Sequence, residues 1–535
     1  MSTSQGESQS QGLGHSHSHS QGLGHSHSHS QSHPQRWLIL GVILLATLTV
    51  LLDNTVLNVA IPSLTEELDA STADIQWMIN AYSLVQSGLL LTAGSAADRY
   101  GRKKMLATGL VLFGVGSVTA GLAQSATQLI AARAGMGVGG ALLMTTTLAV
   151  VVQIFDETER VKAIGLWSTV NSLGFAAGPL LGGVMLEHFW WGAIFLINLP
   201  VAVLALVAVL KLVPESKNPQ GDRPDLLGAV LSTIGMTAVV YAIISGPEHG
   251  WTSLQVLGSG AVGIAVLAAF VRWELSIEHP MLDMHFFRNE RFIGAVAGAV
   301  LVAFGMGGSL FLLTQHLQFV LGYEPLEAGL RTAPMALSVV ALNLTGVGAR
   351  IVVKLGTPAT IALGMTMLSA GLAAIALFGG GTDGGYGGML LGLVVMGAGI
   401  AVAMPAMANA IMSAIPPEKA GVGAGVNGTL SEFGLGLGVA VLGAVLNSRF
   451  AALVSVAAAS LPAALASAES ADERARITDA FASGLETSQL VGAAAVLLGG
   501  LLAAALLRRA MGVPPGCSVL GEGRLRGDDG GVGPA

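Results

Sequence analysis

Charge is what this chain has least of. Asp, Glu, Lys and Arg make up 11% of its 535 residues and apolar residues 52%, against about 25% charged residues in ordinary soluble domains. That balance excludes water as its main solvent. A single cysteine, Cys517, stands in a Gly-rich tail, so there is no internal disulfide framework. The formal net charge of -7 is spread along the chain, and no basic stripe interleaved with aromatics occurs, which argues against a nucleic-acid partner. No G-x-x-x-x-G-K-[ST] loop is present, hence no P-loop nucleotide site. H-E-x-x-H and G-x-S-x-G are missing too, which sets aside the commonest zinc-protease and serine-hydrolase chemistry. Work against a gradient must then draw on an ion gradient or on the solute's own.

What the chain has instead is long apolar stretches. The first, from Trp37 to Ala60, lacks an A-x-A-like exit and contains Asp53, so it reads as a retained transmembrane helix rather than a signal peptide. At roughly 20 apolar residues per crossing, about fourteen segments qualify. They fall near 37–60, 75–96, 105–123, 128–154, 163–186, 190–212, 226–245, 253–273, 293–320, 330–353, 358–378, 387–411, 422–447 and 489–509.

Lys and Arg fix their direction, because short loops rich in them stay cytoplasmic. The even-numbered loops carry Arg99, Arg102, Lys103 and Lys104, then Arg160 and Lys162, then Lys211, Lys217 and Arg223. The pattern continues with Arg272, Arg288, Arg291, Arg350, Lys354 and Lys419, and ends at Arg508 and Arg509. The short odd-numbered loops 62–72 and 379–386 hold none. Both termini are predicted inside. One missed or invented helix would invert the bias downstream, and it holds to the end. The long outer loop 448–489 mixes Arg449, Arg474 and Arg476 with acids, and its Ala-rich text predicts a helix outside the bilayer.

The N-terminal tail repeats a ten-residue His-Ser unit, with His15, His17 and His19 in the first copy. Neutral imidazoles in such runs bind Zn²⁺ or Ni²⁺ weakly. The alternative is a solvated, disordered arm with incidental affinity, and no Asp and His ligand set inside the helices favours a metal as cargo.

Ionisable groups inside the spans are few, and each is a functional candidate because a mid-bilayer charge is costly unless paired or wetted. At 1.5 Å per residue, Asp53 lies roughly 24 Å up the first helix, in the outer half of a core about 30 Å thick. Arg133, early in the inward-running fourth helix, falls in the same half, so the two can meet. A carboxyl that moves between an apolar setting and a guanidinium neighbour binds and releases a proton; the alternative is a static ion pair stapling helices together. One proton crossing about 100 mV supplies roughly 2.3 kcal/mol. At about 1.4 kcal/mol per decade that sustains a roughly fiftyfold gradient of a neutral solute.

Two further patterns concern movement. Gly94, Asp98, Arg99, Gly101 and Arg102 form a G-x-x-x-D-R-x-G-R run before Lys103 and Lys104. Gly94 is expected to permit close helix approach, Asp98 to accept from a neighbouring helix N-terminus, and Arg102 to bridge to acids such as Asp156, together a cytoplasmic latch. Positive-inside topology alone explains the Lys residues but not the Gly and Asp spacing. Gly174, Gly178, Pro179, Gly182 and Gly183 place small residues four apart around a proline. That makes a tight, bendable seam, suited to one bundle rocking on another, or plain helix packing.

Together these elements resemble the major facilitator superfamily, specifically its fourteen-helix drug:proton antiporters. The run from Leu52 to Pro62 is similar to that group's first-helix signature, and Gly94 to Lys104 to the superfamily's loop motif. Leu129 to Ala141 is similar to the fourth-helix motif linked to proton transfer, and Gly174 to Gly183 to the antiporter motif of helix five. The match spans roughly 37 to 510. The resemblance implies an all-α integral membrane protein with two six-helix bundles, over 37–212 and 291–510, and two inserted central helices with linkers over 213–290. Low-complexity tails, 1–36 and 511–535, flank them. The chain departs from the group at Met136, where Gln is usual, and at Gly192 and Ala193, where an Arg-Trp pair is usual. It departs again at Glu432, where Gln is common. An acid there either favours cationic substrates or a second proton, or is a neutral hydrogen-bonded carboxylic acid.

The expected function is proton-coupled export of hydrophobic or amphipathic drugs or antibiotics across the cytoplasmic membrane of a bacterium, possible self-resistance in a producer included. A solute importer on the same fold and a non-transporting sensor are the rivals. Asn54, Asn58, Asn80, Tyr82, Gln86, Gln315, His316 and Asn343 are expected to line an otherwise apolar substrate cavity. The expected partners are the drug, protons and the lipid bilayer, for a monomer with no cofactor, no enzymatic activity and no nucleic acid.

Overall fold

A computed structural model describes residues 35–155, 157–217, 223–278, 280–379, 386–414, 420–454 and 461–510. Among them every regular element is helical. The first part of the chain gives α1 (Arg36–Val59), α2 (Ile61–Glu67), α3 (Thr72–Tyr100), α4 (Arg102–Gly121), α5 (Ala126–Ile154), α6 (Glu157–His188), α7 (Ala193–Leu196) and α8 (Asn198–Leu212). The inserted pair is α9 (Leu226–His249) and α10 (Leu254–Glu274). Then come α11 (Glu290–Gln315), α12 (Pro325–Leu344), α13 (Val347–Leu355), α14 (Thr357–Gly379), α15 (Tyr386–Ser413), α16 (Ala420–Leu453), α17 (Leu461–Ala466) and α18 (Ala471–Ala510).

Local chemistry sets the ends. Ser71 and Asp74 form a reciprocal capping box at the start of α3, and Ser125, Asp225 and Ser253 cap α5, α9 and α10 by accepting from backbone N–H groups. Gly346, at φ 65°, splits the expected span 330–353 into α12 and α13; the left-handed backbone there suits glycine.

Among the described residues eleven helices are long and apolar enough to cross a membrane. They match eleven of the fourteen expected segments, and α3, α6 and α12–α13 form at the other three positions. The outward faces are apolar, with Leu204, Leu254, Ile264 and Leu498 all more than 60% exposed, while Asp53 and Arg133 are buried. This inverts the soluble pattern and fits lipid as solvent.

Over 448–489, where a helix is expected, the described residues are helical in α17 and in extensions of both neighbouring helices. Helix α16 continues to Leu453, and α18 begins at Ala471, eighteen residues before the predicted start at 489, and runs for 40 residues. At 1.5 Å per residue that is about 60 Å, twice the hydrocarbon thickness, because its Ala, Glu and Arg text is itself strongly helix-forming. Phe481 of this extension packs edge-on against Phe319 and Phe450.

Two bundles result. Helices α1, α3, α4, α5, α6 and α8 pack on one another, as do α11, α12, α14, α15, α16 and α18. The bundles meet along two seams, α6 on α12 and α3 on α16. Helix α9 lies over the second, touching both α3 and α16 and burying Leu84, Met236, Val240, Ile244 and Ala440. Helix α10 leans on α9.

Candidate functional site

Asp53 on α1 and Arg133 on α5 are 3% and 1% exposed, and they form a direct ion pair. Two other elements position the pair. Arg133 Nε donates to the Met78 carbonyl of α3 at 3.1 Å, and its guanidinium lies 4.5 Å over the ring of Tyr82. Asn198, the first residue of α8, reaches Asp53 Oδ1 with its amide at 3.5 Å. A charge this deep requires a partner and further hydrogen bonds, and four helices of the first bundle supply them. Glycines make the approach possible: a Cβ at Gly137 would stand 3.1 Å from Val85, and one at Gly140 2.6 Å from the Tyr82 hydroxyl.

The polar side chains of α3 continue from this pair toward the second bundle. Gln76 donates to the carbonyls of Val439 at 3.1 Å and Ala440 at 3.4 Å on α16, a direct link across the seam. Asn80 donates to Gln76 and faces Gly436, where a Cβ would come 2.5 Å from its Oδ1. Glu432 and Thr429 stand on α16, and Glu432 is near enough to Arg133 and Tyr82 to interact with them electrostatically. The Tyr82 hydroxyl, both polar atoms of Gln86, Asn80 Oδ1, Thr429 Oγ1 and Glu432 Oε2 are enclosed with no hydrogen-bond partner among the described residues. Enclosed polar atoms of this kind are matched by water or a ligand. The arrangement therefore pairs a buried guanidinium with one carboxylate, sets a second carboxylate within its field, and presents amide and hydroxyl groups to a bound molecule.

The expected cavity residues divide. Asn80, Tyr82 and Gln86 belong to this cluster, while Asn58 is buried one turn beyond Asp53 and bonds back to Asn54, which is half-buried. Gln315 and His316 do not join them: they are buried at the far end of α11, where Gln315 lines a small cleft with Ile61, Leu461 and Phe481. Asn343 is exposed near the end of α12. Polarity in an apolar helix signals burial or function, but not which neighbour the side chain meets. Sequence reasoning missed Asn198 and Gln76, both visible only as lone amides in apolar text.

The loop between α3 and α4 is clasped within the first bundle. Gly101 turns at φ 117°, a backbone that favours glycine. Arg102 donates to Asp98 at 2.8 and 3.0 Å and to the Ala149 carbonyl of α5 at 3.3 Å. Its N–H bonds the Ser216 carbonyl, and Glu215 accepts from Lys103 N–H. Two expectations are corrected. Asp98 pairs with Arg102 one turn on rather than with a neighbouring helix N-terminus, and a Cβ at Gly94 would meet nothing within 4 Å, so that glycine permits no close approach here. Arg99 is half-buried at the end of α3, and Asp156 lies outside the described residues.

The small-residue seam of α6 is realised on two sides. Added Cβ atoms at Gly174, Gly178 and Gly182 would run into Leu51, Thr55 and Val56 of α1. Gly183 abuts the backbone of Leu326 at the start of α12, and Gly329 of α12 abuts the Pro179 carbonyl group. One short motif thus touches its own bundle and the opposite one. Near the same end Gln318 donates to the Val59 carbonyl at 3.1 Å. No group of three metal-ligating side chains exists among the described residues; His15, His17 and His19 lie outside them.

The Major Facilitator Superfamily model matches residues 43–439. Multidrug resistance protein Stp of Mycobacterium tuberculosis (strain CDC 1551 / Oshkosh) is 36% identical over 402 residues, 74% of this chain and 73% of that protein. Multidrug efflux pump LfrA of Mycolicibacterium smegmatis is 36% identical over 428 residues, 80% of this chain and 84% of that one. Among solved structures, a bacterial homolog of the human lysosomal transporter Spinster, inward-facing and unoccupied, aligns with a TM-score of 0.64 at 17% identity. The alignment covers 90% of this chain and 99% of that one, and at that identity it speaks to the fold alone.

Proposed function

The chain belongs to the major facilitator superfamily, and from that premise we propose that it exports hydrophobic or amphipathic drugs, antibiotics among them, in exchange for protons. The reading places it in a bacterial cytoplasmic membrane as a monomer that crosses fourteen times with both termini inside. It needs no cofactor beyond the proton gradient and has no enzymatic activity. The observation that carries the mechanism is the buried pair of Asp53 and Arg133, held by α1, α3, α5 and α8. The names of the relatives, a multidrug resistance protein and a multidrug efflux pump, support drugs as cargo.

The geometry suggests how a proton is put to work. Arg133 is paired directly with Asp53 in its own bundle, and Glu432 on α16 is a second carboxylate close enough to act on it electrostatically. A proton arriving at Asp53 removes the nearer partner, and the guanidinium turns toward Glu432, drawing the first bundle to the second. The α6 seam, in contact with both α1 and α12, is the hinge on which that shift changes the open side. Release of the proton inside restores the pair.

Drug accumulation in cells with and without the protein tests this directly. Export predicts lower accumulation with the protein and its reversal by an uncoupler; uncoupler-sensitive higher accumulation means import, and no difference means a non-transporting role.

A further inference from the structure

A cleft of about 500 Å³ opens on the flank of the molecule where α9 leans on α16, away from the Asp53 cluster. Ile243 of α9, Trp251 in the turn after it, and Val441 and Val445 of α16 form its apolar walls, and Ser448 and Arg449 form its polar end. Its size is that of a small-ligand site, roughly 300–1,000 Å³. The Trp251 ring lies over Gly246, where a Cβ would come within 2.6 Å of it, so the wall is firmly backed.

The two polar residues stand out. Ser448 Oγ is enclosed and has no hydrogen-bond partner among the described residues. Arg449 is exposed at the end of the slot, and no ion pair among the described residues engages it. Both lie within six residues of the end of α16, at the end of the molecule where α9 turns into α10. Trp251, half-exposed at that end, has the residue type and placement of an interfacial anchor. An apolar slot facing hydrocarbon with an unpaired guanidinium at headgroup level matches one amphipath that a membrane supplies in quantity. Arginine grips phosphate through two parallel N–H bonds, and the Ser448 hydroxyl offers another donor.

The geometry points to a binding site for an anionic phospholipid in the cleft between α9 and α16, its acyl chain between Ile243 and Val445 and its phosphate on Arg449 and Ser448. The bound lipid fills the gap on the α16 side of α9 and so braces the inserted helix pair against the second bundle. On the orientation proposed above the site lies in the outer leaflet, and only that assignment rests on it.

The test is lipid retention by the full-length protein, purified in mild detergent and exposed to phosphatidylglycerol or phosphatidylcholine in native mass spectrometry. Both lipids carry the phosphate, but the choline ammonium of phosphatidylcholine opposes the Arg449 guanidinium, so phosphatidylglycerol should be retained at roughly tenfold lower concentration. Arg449→Gln should erase the preference, and Val445→Trp, which fills the slot, should lower retention of both lipids. Arg449 is exposed, so an unchanged unfolding midpoint without lipid shows that its variant is folded. Equal retention of the two lipids by the native protein, or undiminished preference in Arg449→Gln, overturns the site. So does a cationic dye that displaces the lipid in proportion, or a dimer that Val445→Trp dissociates; these assign the cleft to cargo or to a second copy. Because nothing here is read from efflux, failure of the export reading leaves this outcome independent.

Discussion

Arg133 has one full counter-charge, Asp53, and both are out of contact with solvent. Replacing Arg133 with Ala strands a buried carboxylate, at a cost of about 3–5 kcal/mol, which should appear as a large fall in the unfolding midpoint in detergent. Asp53→Asn keeps the shape and a hydrogen-bond acceptor but cannot ionise. In proteoliposomes with an imposed proton gradient it should lose uphill efflux while still equilibrating drug downhill; uphill transport by this variant sinks the coupling role. Glu432→Gln tests the second carboxylate. A lower proton-to-drug ratio supports its taking part, and an unchanged ratio removes it from the proton path. At this scale the sequence disclosed the pair itself, because helix rise and orientation place both groups at one depth. It did not disclose Tyr82 beneath the guanidinium or Asn198 beside the carboxylate, since those depend on how α3 and α8 are rotated.

Helices here are tuned by what glycine lets approach. A side chain at Gly178 collides with Thr55, whose Cβ would be 2.8 Å from the new Cβ, whereas one at Gly94 meets nothing within 4 Å. Gly178→Val should therefore cost about 1–3 kcal/mol by overpacking and depress transport. Gly94→Ala should be tolerated in stability, and on helix propensity gain up to about 1 kcal/mol. Drug efflux and thermal unfolding of the two variants together check the contrast, and equal damage from both would contradict it. The four-residue glycine spacing was legible as a seam; that Gly183 faces α12 while Gly174, Gly178 and Gly182 face α1 was not. Gln315 and His316 show the converse, polar residues read as cavity lining that belong to the end of α11, packed beside α2 and α18.

Over the whole molecule, the alternation of Lys and Arg predicts which face each loop occupies. In a Cys517→Ser background, Lys104→Cys should be labelled by an impermeant thiol reagent only after the membrane is permeabilised, and Asp383→Cys in intact cells. The reverse pattern would invert the proposed orientation. The seams define a second expectation at this scale. Contacts of α6 with α12 and of α3 with α16 join the bundles along two seams, both lined by glycines, and α9 covers the latter, so any rocking of one bundle on the other is expected to be freer at the uncovered α6 side.

Hydropathy, charge alternation and capping residues act locally, and they determined where the helices run and which carboxylate and guanidinium share a depth, while the grouping into two bundles was implied by the family resemblance. Tertiary structure decided which faces meet: the bridge from Gln76 to α16, the place of α9, the helical continuation of α18, and the separation of Gln315 from Tyr82. Lipid is as apolar as the side chains it surrounds, so hydrophobicity selects a helix for the membrane without selecting its neighbour. Contact geometry between small residues and a few buried polar groups makes that choice, and those contacts exist only once the bundles have assembled.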